Sequence, residues 1–374
     1  MSQLNTDDLF TNSRLRLPRY STSQRDSTFP SPPFGTMIFN TTENYGEYWS
    51  GDKWRGFGRD SIPVNVDLTA ANFGRTANNP TLSDNLGSLD ITANWGYNGY
   101  YAFEVPSDDI YRITACGCNG RSEGVFSATP ENFGAEIVAD VFVPGGTVMI
   151  FMAGQYGPRN TGDDRGAGGG GMSAVAYSNT TTNSTSSVAN AIPLVVGGGG
   201  GGGCWNRTGH DTARGYGNIK DMDDMMIGRA GQSSGYTAEG HGWQVGFGGR
   251  ATSSENRVAS WNGGGFYGDG VGGTTIRSGG SNGQGFVNGG EGGLGQNGSG
   301  EGGFGGGGGG ANNCGYGGGA GGYSGGGTGG YSNGCGGHGG GGGSYYDTAN
   351  GTLVSRQNVD TRYGYVRIRS SSEI

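Results

Sequence analysis

The residues with chemistry to offer are few and scattered. Five cysteines, Cys116, Cys118, Cys204, Cys314 and Cys335, and three histidines, His210, His241 and His338, are the whole stock of soft metal ligands. Cys335-Gly-Gly-His338 with Cys204 or Cys314 could in principle hold a tetrahedral zinc ion. The preferred reading is plainer: small thiols filling gaps beside glycine, with a Cys314–Cys335 disulfide as the next alternative. Cys116 and Cys118 stand two apart on an expected strand, so they face one side and are poorly placed to bridge each other. Asp221, Asp223 and Asp224 lie near His210. They lack the regular oxygen spacing of a calcium loop and read as a solvated acidic loop. No serine sits in a nucleophile-elbow sequence. Neither lysine, Lys53 or Lys220, precedes Ser or Thr, so there is no phosphate-binding loop. Chance matches to Gly-x-Gly-x-x-Gly carry no weight in a chain with 88 glycines. The expectation is a protein with no catalytic residues, no cofactor and no metal, and so not an enzyme.

Recognition chemistry is better represented. The glycine-rich part is broken by polar runs, chiefly residues 204–227 and 251–261. These runs and the stretch between them carry Trp205, Tyr236, Trp243 and Trp261. Aromatic rings in polar loops suit sugar faces and lipid-headgroup surfaces. The alternative is that the same rings cap the ends of glycine segments. These four are the candidate receptor-binding residues, and a host-surface glycan is the candidate ligand.

The elements that must position them are the glycine tracts. Gly197 to Gly203 are seven consecutive glycines, directly after the strand-like run Ala191-Ile-Pro-Leu-Val-Val196. A flexible linker would have polar borders; here an apolar strand feeds straight into polyglycine, and the pattern returns at residues 304–310 and 339–343. About one residue in three is glycine after residue 162. Collagen would need glycine at every third position, and Gly305-Gly-Gly-Gly-Gly-Gly-Ala-Asn-Asn-Cys-Gly-Tyr316 has no such register. Ordering glycine costs roughly 0.5–1 kcal/mol more than ordering alanine, which favours disorder unless many interactions offset it. Extended helices with three residues per turn leave every backbone group free to pair with neighbours, at about 0.5–1.5 kcal/mol per bond. A packed polyglycine-II helix bundle over about 162–343, anchored on a β-sandwich, is therefore expected, with very little α-helix after residue 162.

Alternation and apolar runs predict sandwich strands at 100–105, 110–116, 135–143, 147–153, 172–177 and 191–196, with a last strand at 361–369. The final strand follows all the glycine tracts, so the glycine region is an insertion into one sandwich spanning 96–374. Residues 61–95 read as a connector with possible short strands. Residues 1–60 read as a small module with a β-hairpin at 36–40 and 46–50 and a third segment at 52–57. It is too small to bury its own aromatics well. Leu15, Leu17, Tyr20, Ile38, Phe39, Trp49 and Trp54 are the candidate docking or oligomerisation residues. The net charge of −8 makes nucleic acid a poor partner. No apolar run approaches ~18 residues, so no membrane insertion is expected. The start of the chain has no signal-like pattern although the composition looks extracellular, which suits release by lysis as part of a virion.

The N-terminal residues resemble a module common in viral and phage structural proteins, especially fibres. The resemblance is carried by Leu17, Pro18 and Tyr20, by Arg25-Asp26, by Gly35-Thr-Met-Ile-Phe-Asn-Thr-Thr42 and by Tyr48-Trp-Ser-Gly-Asp-Lys-Trp54. It implies docking to other virion proteins and a homo-trimer. The rest resembles the glycine-rich extracellular domain of the anaplastic lymphoma kinase and leukocyte tyrosine kinase receptors. The matching pieces are Phe103-Glu-Val-Pro106, Tyr111-Arg-Ile-Thr-Ala-Cys-Gly117, Gly145-Gly-Thr-Val-Met-Ile-Phe-Met-Ala-Gly154, Gly166-Ala-Gly-Gly-Gly-Gly-Met172, Ile192-Pro-Leu-Val-Val-Gly-Gly-Gly-Gly200, Gly302-Gly-Phe-Gly305 and Gly364-Tyr-Val-Arg-Ile368. That resemblance implies an all-β jelly-roll sandwich like that of tumour necrosis factor, with an inserted polyglycine bundle. No transmembrane helix, kinase or cysteine-rich growth-factor-like module accompanies it, so only the fold carries over. Phage-tip adhesins, in which glycine scaffolds hold aromatic loops, are similar in principle. Together these imply a viral appendage protein, a fibre or capsid-attached spike, for host attachment. The alternatives are a purely structural virion decoration or joint, and a secreted ligand-binding module.

Overall fold

The computed structural model describes residues 17–42, 45–49, 51, 54–57, 64–70, 73–77, 80–84, 89–121, 132–158, 166–203, 217, 219, 226, 232–233, 236–237, 245–249, 260–272, 279–312, 316–329, 331–332 and 335–371. Two compact units are present, Met1–Ile62 and Pro63–Ile374. No helix among the described residues is long and apolar enough to cross a membrane.

In the first unit, β1 (Arg19–Tyr20), β2 (Met37–Asn40), β3 (Tyr45–Trp49) and β4 (Trp54–Phe57) form one sheet in chain order. A helix that the sequence reading did not foresee, α1 (Thr22–Thr28), lies between β1 and β2. It has no apolar stripe, and no residue of it is buried. Its start is set by a capping box in which the Ser21 hydroxyl accepts from the Gln24 amide and the Gln24 side chain accepts from the Ser21 amide. Its anchor is polar. The Arg25 guanidinium donates to both carboxylate oxygens of Glu47, each at 2.8 Å, and Asn40 Nδ2 donates to the same carboxylate at 3.1 Å. Glu47 is buried on β3, so its charge is tolerated only because it is paired this fully. Arg25 is thus accounted for within the unit. Around this pair, Phe29 meets Tyr20 edge-on at 5.2 Å, and Trp54 packs against both Phe29 and Trp49.

The second unit is an all-β sandwich. Its strands are β5 (Asn65–Thr69), β6 (Thr81–Asp84), β7 (Thr92–Ala93), β8 (Tyr101–Glu104), β9 (Asp109–Cys116), β10 (Gly134–Val143), β11 (Val148–Met152), β12 (Ser173–Ser178) and β13 (Ile192–Gly197). Two-residue ladders follow, β14 (Gln232–Ser233) with β15 (Tyr236–Thr237), and β16 (Tyr331–Ser332) with β17 (Cys335–Gly336). The chain returns to the sandwich in β18 (Tyr345–Tyr346), β19 (Gly351–Val359) and β20 (Tyr365–Ser370). One sheet runs β19-β10-β9-β20-β5-β6 and the other β18-β13-β12-β11-β8-β7, every neighbour pair being antiparallel. Residues 61–95, read as a connector with possible short strands, supply β5, β6 and β7; β5 is hydrogen-bonded directly to the last strand, β20.

Burial distinguishes the two sheets. On β20 every second residue is buried, Val366, Ile368 and Ser370, which is the mark of one wet face. On β11 all five residues, Val148 to Met152, are buried. A strand apolar on both faces needs a second cover. Between the sheets lie Val66, Leu68, Phe103, Ile113, Ile137, Val141, Met149, Phe151, Val366 and Ile368. On the opposite face of the second sheet, Tyr100, Ile150, Met152, Ala174 and Val196 pack against Phe266, Phe286, Phe304 and Tyr323 from the glycine-rich insertion. The unit therefore has three layers: sheet, sheet and glycine.

The glycine layer has its own order. From Gly317 to Gly322, six successive amides donate to three neighbouring segments in rotation. Gly317 and Ala320 reach Gly337 and Gly340, Gly318 and Gly321 reach Ala167 and Gly170, and Gly319 and Gly322 reach Trp261 and Gly264. Each acceptor advances by three residues when the donor does. On the carbonyl side, Gly199 and Gly202 donate to Gly321 and Gly318 at 2.9 and 2.8 Å. The spacing leaves no room for side chains: a Cβ at Gly171 would stand 1.7 Å from the Phe304 carbonyl oxygen. Among the described residues after 162, helix is confined to α2 (Thr185–Ala189) and two short 3-10 turns, as expected.

Candidate functional site

Where the glycine layer meets the edge of the second sheet, its bare backbone seats a group of aromatic rings. Tyr267 lies over Gly246, whose φ is +87°, with ring carbon Cδ2 2.7 Å from where a Cβ would be. Phe247 lies in turn over Gly268, at 2.9 Å by the same measure. The backbone under both rings is pinned. The Tyr267 amide donates to the Gly246 carbonyl at 2.7 Å, Gly246 donates to Ser324 Oγ at 2.9 Å, and Gly325 donates to the Phe247 carbonyl at 2.9 Å. Tyr323 continues the group, with its ring 6.3 Å from Tyr267, and stacks on Tyr345 of β18 at 4.3 Å. Phe247 and Tyr267 are 41 % and 38 % exposed.

The four phenols of Tyr177, Tyr267, Tyr323 and Tyr345 find no hydrogen-bond partner among the described residues. Burial raises Tyr323 from its ordinary value near 10 to about 12, with the neighbouring Tyr267 adding to the shift. Tyr345, Tyr267 and Tyr177 are also raised, first by burial; Asp347 contributes at Tyr345 and Tyr177. Folding therefore favours the neutral phenols. That contribution is intact below pH about 10, the unfolded value, and is lost as pH rises through the folded value of Tyr323 near 12. The melting temperature is expected to hold up to about pH 9.5 and fall between about pH 10 and 12, with tyrosinate absorbance appearing alongside unfolding. A melting temperature unchanged to pH 12 would contradict this placement of the rings.

The expected site residues separate. Trp261 is 5 % exposed and packs with Ala311 and Tyr316, its ring atoms 2.2–2.4 Å from where a Cβ of Gly280 would be. It fills the glycine layer and offers no open face. Trp205 and Trp243 lie outside the described residues, and Tyr236 is described only as backbone of β15. In the first unit Ile38 is 0 % exposed and serves that unit's own core, which removes it from any docking surface. Leu17, Tyr20, Phe39, Trp49 and Trp54 are half-buried, and Leu15 lies outside the described residues. Phe247, Tyr267, Tyr323 and Tyr345 were missed. Their signal was legible as aromatics flanked by glycine, in Gly246-Phe247-Gly248 and Phe266-Tyr267-Gly268.

Cys116 and Cys118 are free and buried, as gap-filling thiols should be. Cys118 Sγ donates to the Gln155 carbonyl at 2.8 Å, at the seam between sandwich and glycine layer. Burial, with Glu136 nearby, pushes the Cys116 thiol well up, which leaves little thiolate to react. The side chains of Cys204, Cys314 and Cys335, with His210, His241 and the acidic run at 221–224, lie outside the described residues. Among the described residues no group of three His, Cys, Asp or Glu could hold a metal ion. No protein-family model matches the chain, and no curated protein is similar to it.

Proposed function

We propose that this chain is a viral appendage protein, a fibre or capsid-attached spike, that displays a rigid glycine-rich domain for host-surface attachment. The observation that supports this best is the glycine layer itself. A domain that binds its loops to a hydrogen-bonded backbone lattice lowers the ordering cost of recognition, which is what an attachment surface needs. The three-residue rotation of donors supports reading the glycine segments as polyglycine-II helices. Two six-stranded antiparallel sheets, with first and last strands paired, support the jelly-roll reading. In this account the first unit docks onto other virion proteins and forms a trimer, the second meets the host surface, and nothing is catalysed.

Removing residues 1–62 is the test. The remaining chain should keep its melting temperature, because the two units are separately compact. It should still adsorb to host cells but no longer join the particle, and its mass by light scattering should drop from trimer to monomer. Full incorporation of the shortened chain, or a full-length chain that is monomeric and never particle-bound, would overturn the docking role. Incorporation without any adsorption to host cells would leave a structural decoration protein.

A further inference from the structure

We propose that Phe247 and Tyr267, backed by the stacked pair Tyr323 and Tyr345, form a saccharide-binding platform that takes the apolar face of a neutral sugar. This rests on the attachment reading above and gives it a place and a ligand class. Three observations carry it. The rings come from four separate parts of the chain, yet meet one another in a chain of contacts with two of them well exposed. The surface is fixed: each exposed ring lies on a glycine of the opposite segment, the two ring planes meet at 44°, and the backbone beneath is bonded on both sides. Its polarity is that of hydroxyls. Three of the four rings carry phenol groups, and Asp347, whose charge acts on Tyr345, is held by the Ala349 amide at 3.0 Å and by Asn350 Nδ2 at 2.9 Å.

This combination selects among ligands. Stacked C–H faces of a pyranose need an open ring face, and sugar hydroxyls need neutral donors and acceptors at its edge. A quaternary ammonium needs rings that surround it. Here Tyr323 and Tyr345 stack on one another at 4.3 Å and 16°, leaving no gap between them for a cation. Unpaired hydroxyls can bond a sugar where a purely apolar partner would leave them unmet.

The test is calorimetric titration of the full chain with linear hexasaccharides of glucose, mannose and N-acetylglucosamine, beside phosphatidylcholine vesicles. At least one saccharide should bind. Phe247→Ala and Tyr267→Ala should each weaken it tenfold or more, with the melting temperature recorded on the same samples. Gly268→Ala removes no contact but pushes the Phe247 ring out of its seat, and it should weaken binding as well. If a truncated variant fails to fold, Tyr267→Phe, which removes only a hydroxyl, should still weaken binding at least threefold. No heat with any saccharide, or unchanged affinity in folded variants, overturns the platform, as does vesicle binding that Phe247→Ala abolishes. Host-cell adsorption separates the two claims. If wild type and Phe247→Ala adsorb equally, attachment stands and the platform falls. If a saccharide binds at the platform but the chain never adsorbs, the platform stands and attachment falls.

Discussion

Gly321→Ala is expected to cost at least about 3 kcal/mol, at or beyond the upper end for overpacking, and many molecules of this variant should fail to fold at all. The added methyl would sit 1.8 Å from the Gly305 carbonyl oxygen. No rotamer change relieves that overlap, because the obstacle is backbone. Nor can the segment shift freely: the Gly321 amide donates to Gly170 and its carbonyl accepts from Gly199, each at 2.9 Å. Moving away from one neighbour breaks bonds to two others. The adjacent position is the control. Ala320 is fully buried in the same segment, so a methyl fits there. Ala320→Gly should cost only about 1 kcal/mol, through backbone entropy and a lost methyl. Equilibrium unfolding in urea compares the two. Equal stabilities for Gly321→Ala and Ala320→Gly would mean that the glycine segments are not packed as described.

Trp261→Ala is expected to cost roughly 3–5 kcal/mol, the range for deleting a large buried ring, and to leave saccharide binding at the platform unchanged in whatever fraction stays folded. The ring covers Gly280 and completes a small cluster with Ala311 and Tyr316 in the glycine layer. Its removal opens a cavity lined by backbone that cannot collapse without breaking lattice bonds. Thermal melting and cell adsorption on the same variant decide the matter. A normal melting temperature with lost adsorption would put Trp261 among the binding rings after all.

Trp261 also shows why the site was only partly legible in the sequence. A tryptophan in a polar, glycine-flanked run looks exposed, because glycine offers no apolar side chain to cover it. In this fold glycine covers aromatics better than any side chain could. Its bare backbone lets a ring lie flat, as Trp261 does on Gly280 and Phe247 on Gly268. Whether such a ring faces outward depends on which segments pack above it, and that is set by long-range register.

The sandwich was more readable. Strands β8 to β13 are long or strongly apolar, and the structure places them within a residue or two of the expected bounds. β5 and β6 were legible only as possible short strands, and β19 escaped, because their sequences are short or polar. Asn-Val-Asp-Leu-Thr alternates over only five residues. Thr-Leu-Ser-Asp and the polar run of β19 lie at opposite edges of the first sheet, where half-covered strands need few apolar residues. α1 escaped for another reason: it is held by a cap and by the Arg25–Glu47 pair, and neither leaves a periodic apolar trace.

The account depends most on the glycine layer being a cooperatively folded lattice, and amide hydrogen exchange tests that directly. The six amides of Gly317 to Gly322 are all bonded to other segments and buried. They should exchange only on global unfolding, with protection matching that of Ile113 and Val366 in the sandwich core. Exchange of those six amides at the rate of an unfolded glycine chain, while Ile113 and Val366 stay protected, would contradict it.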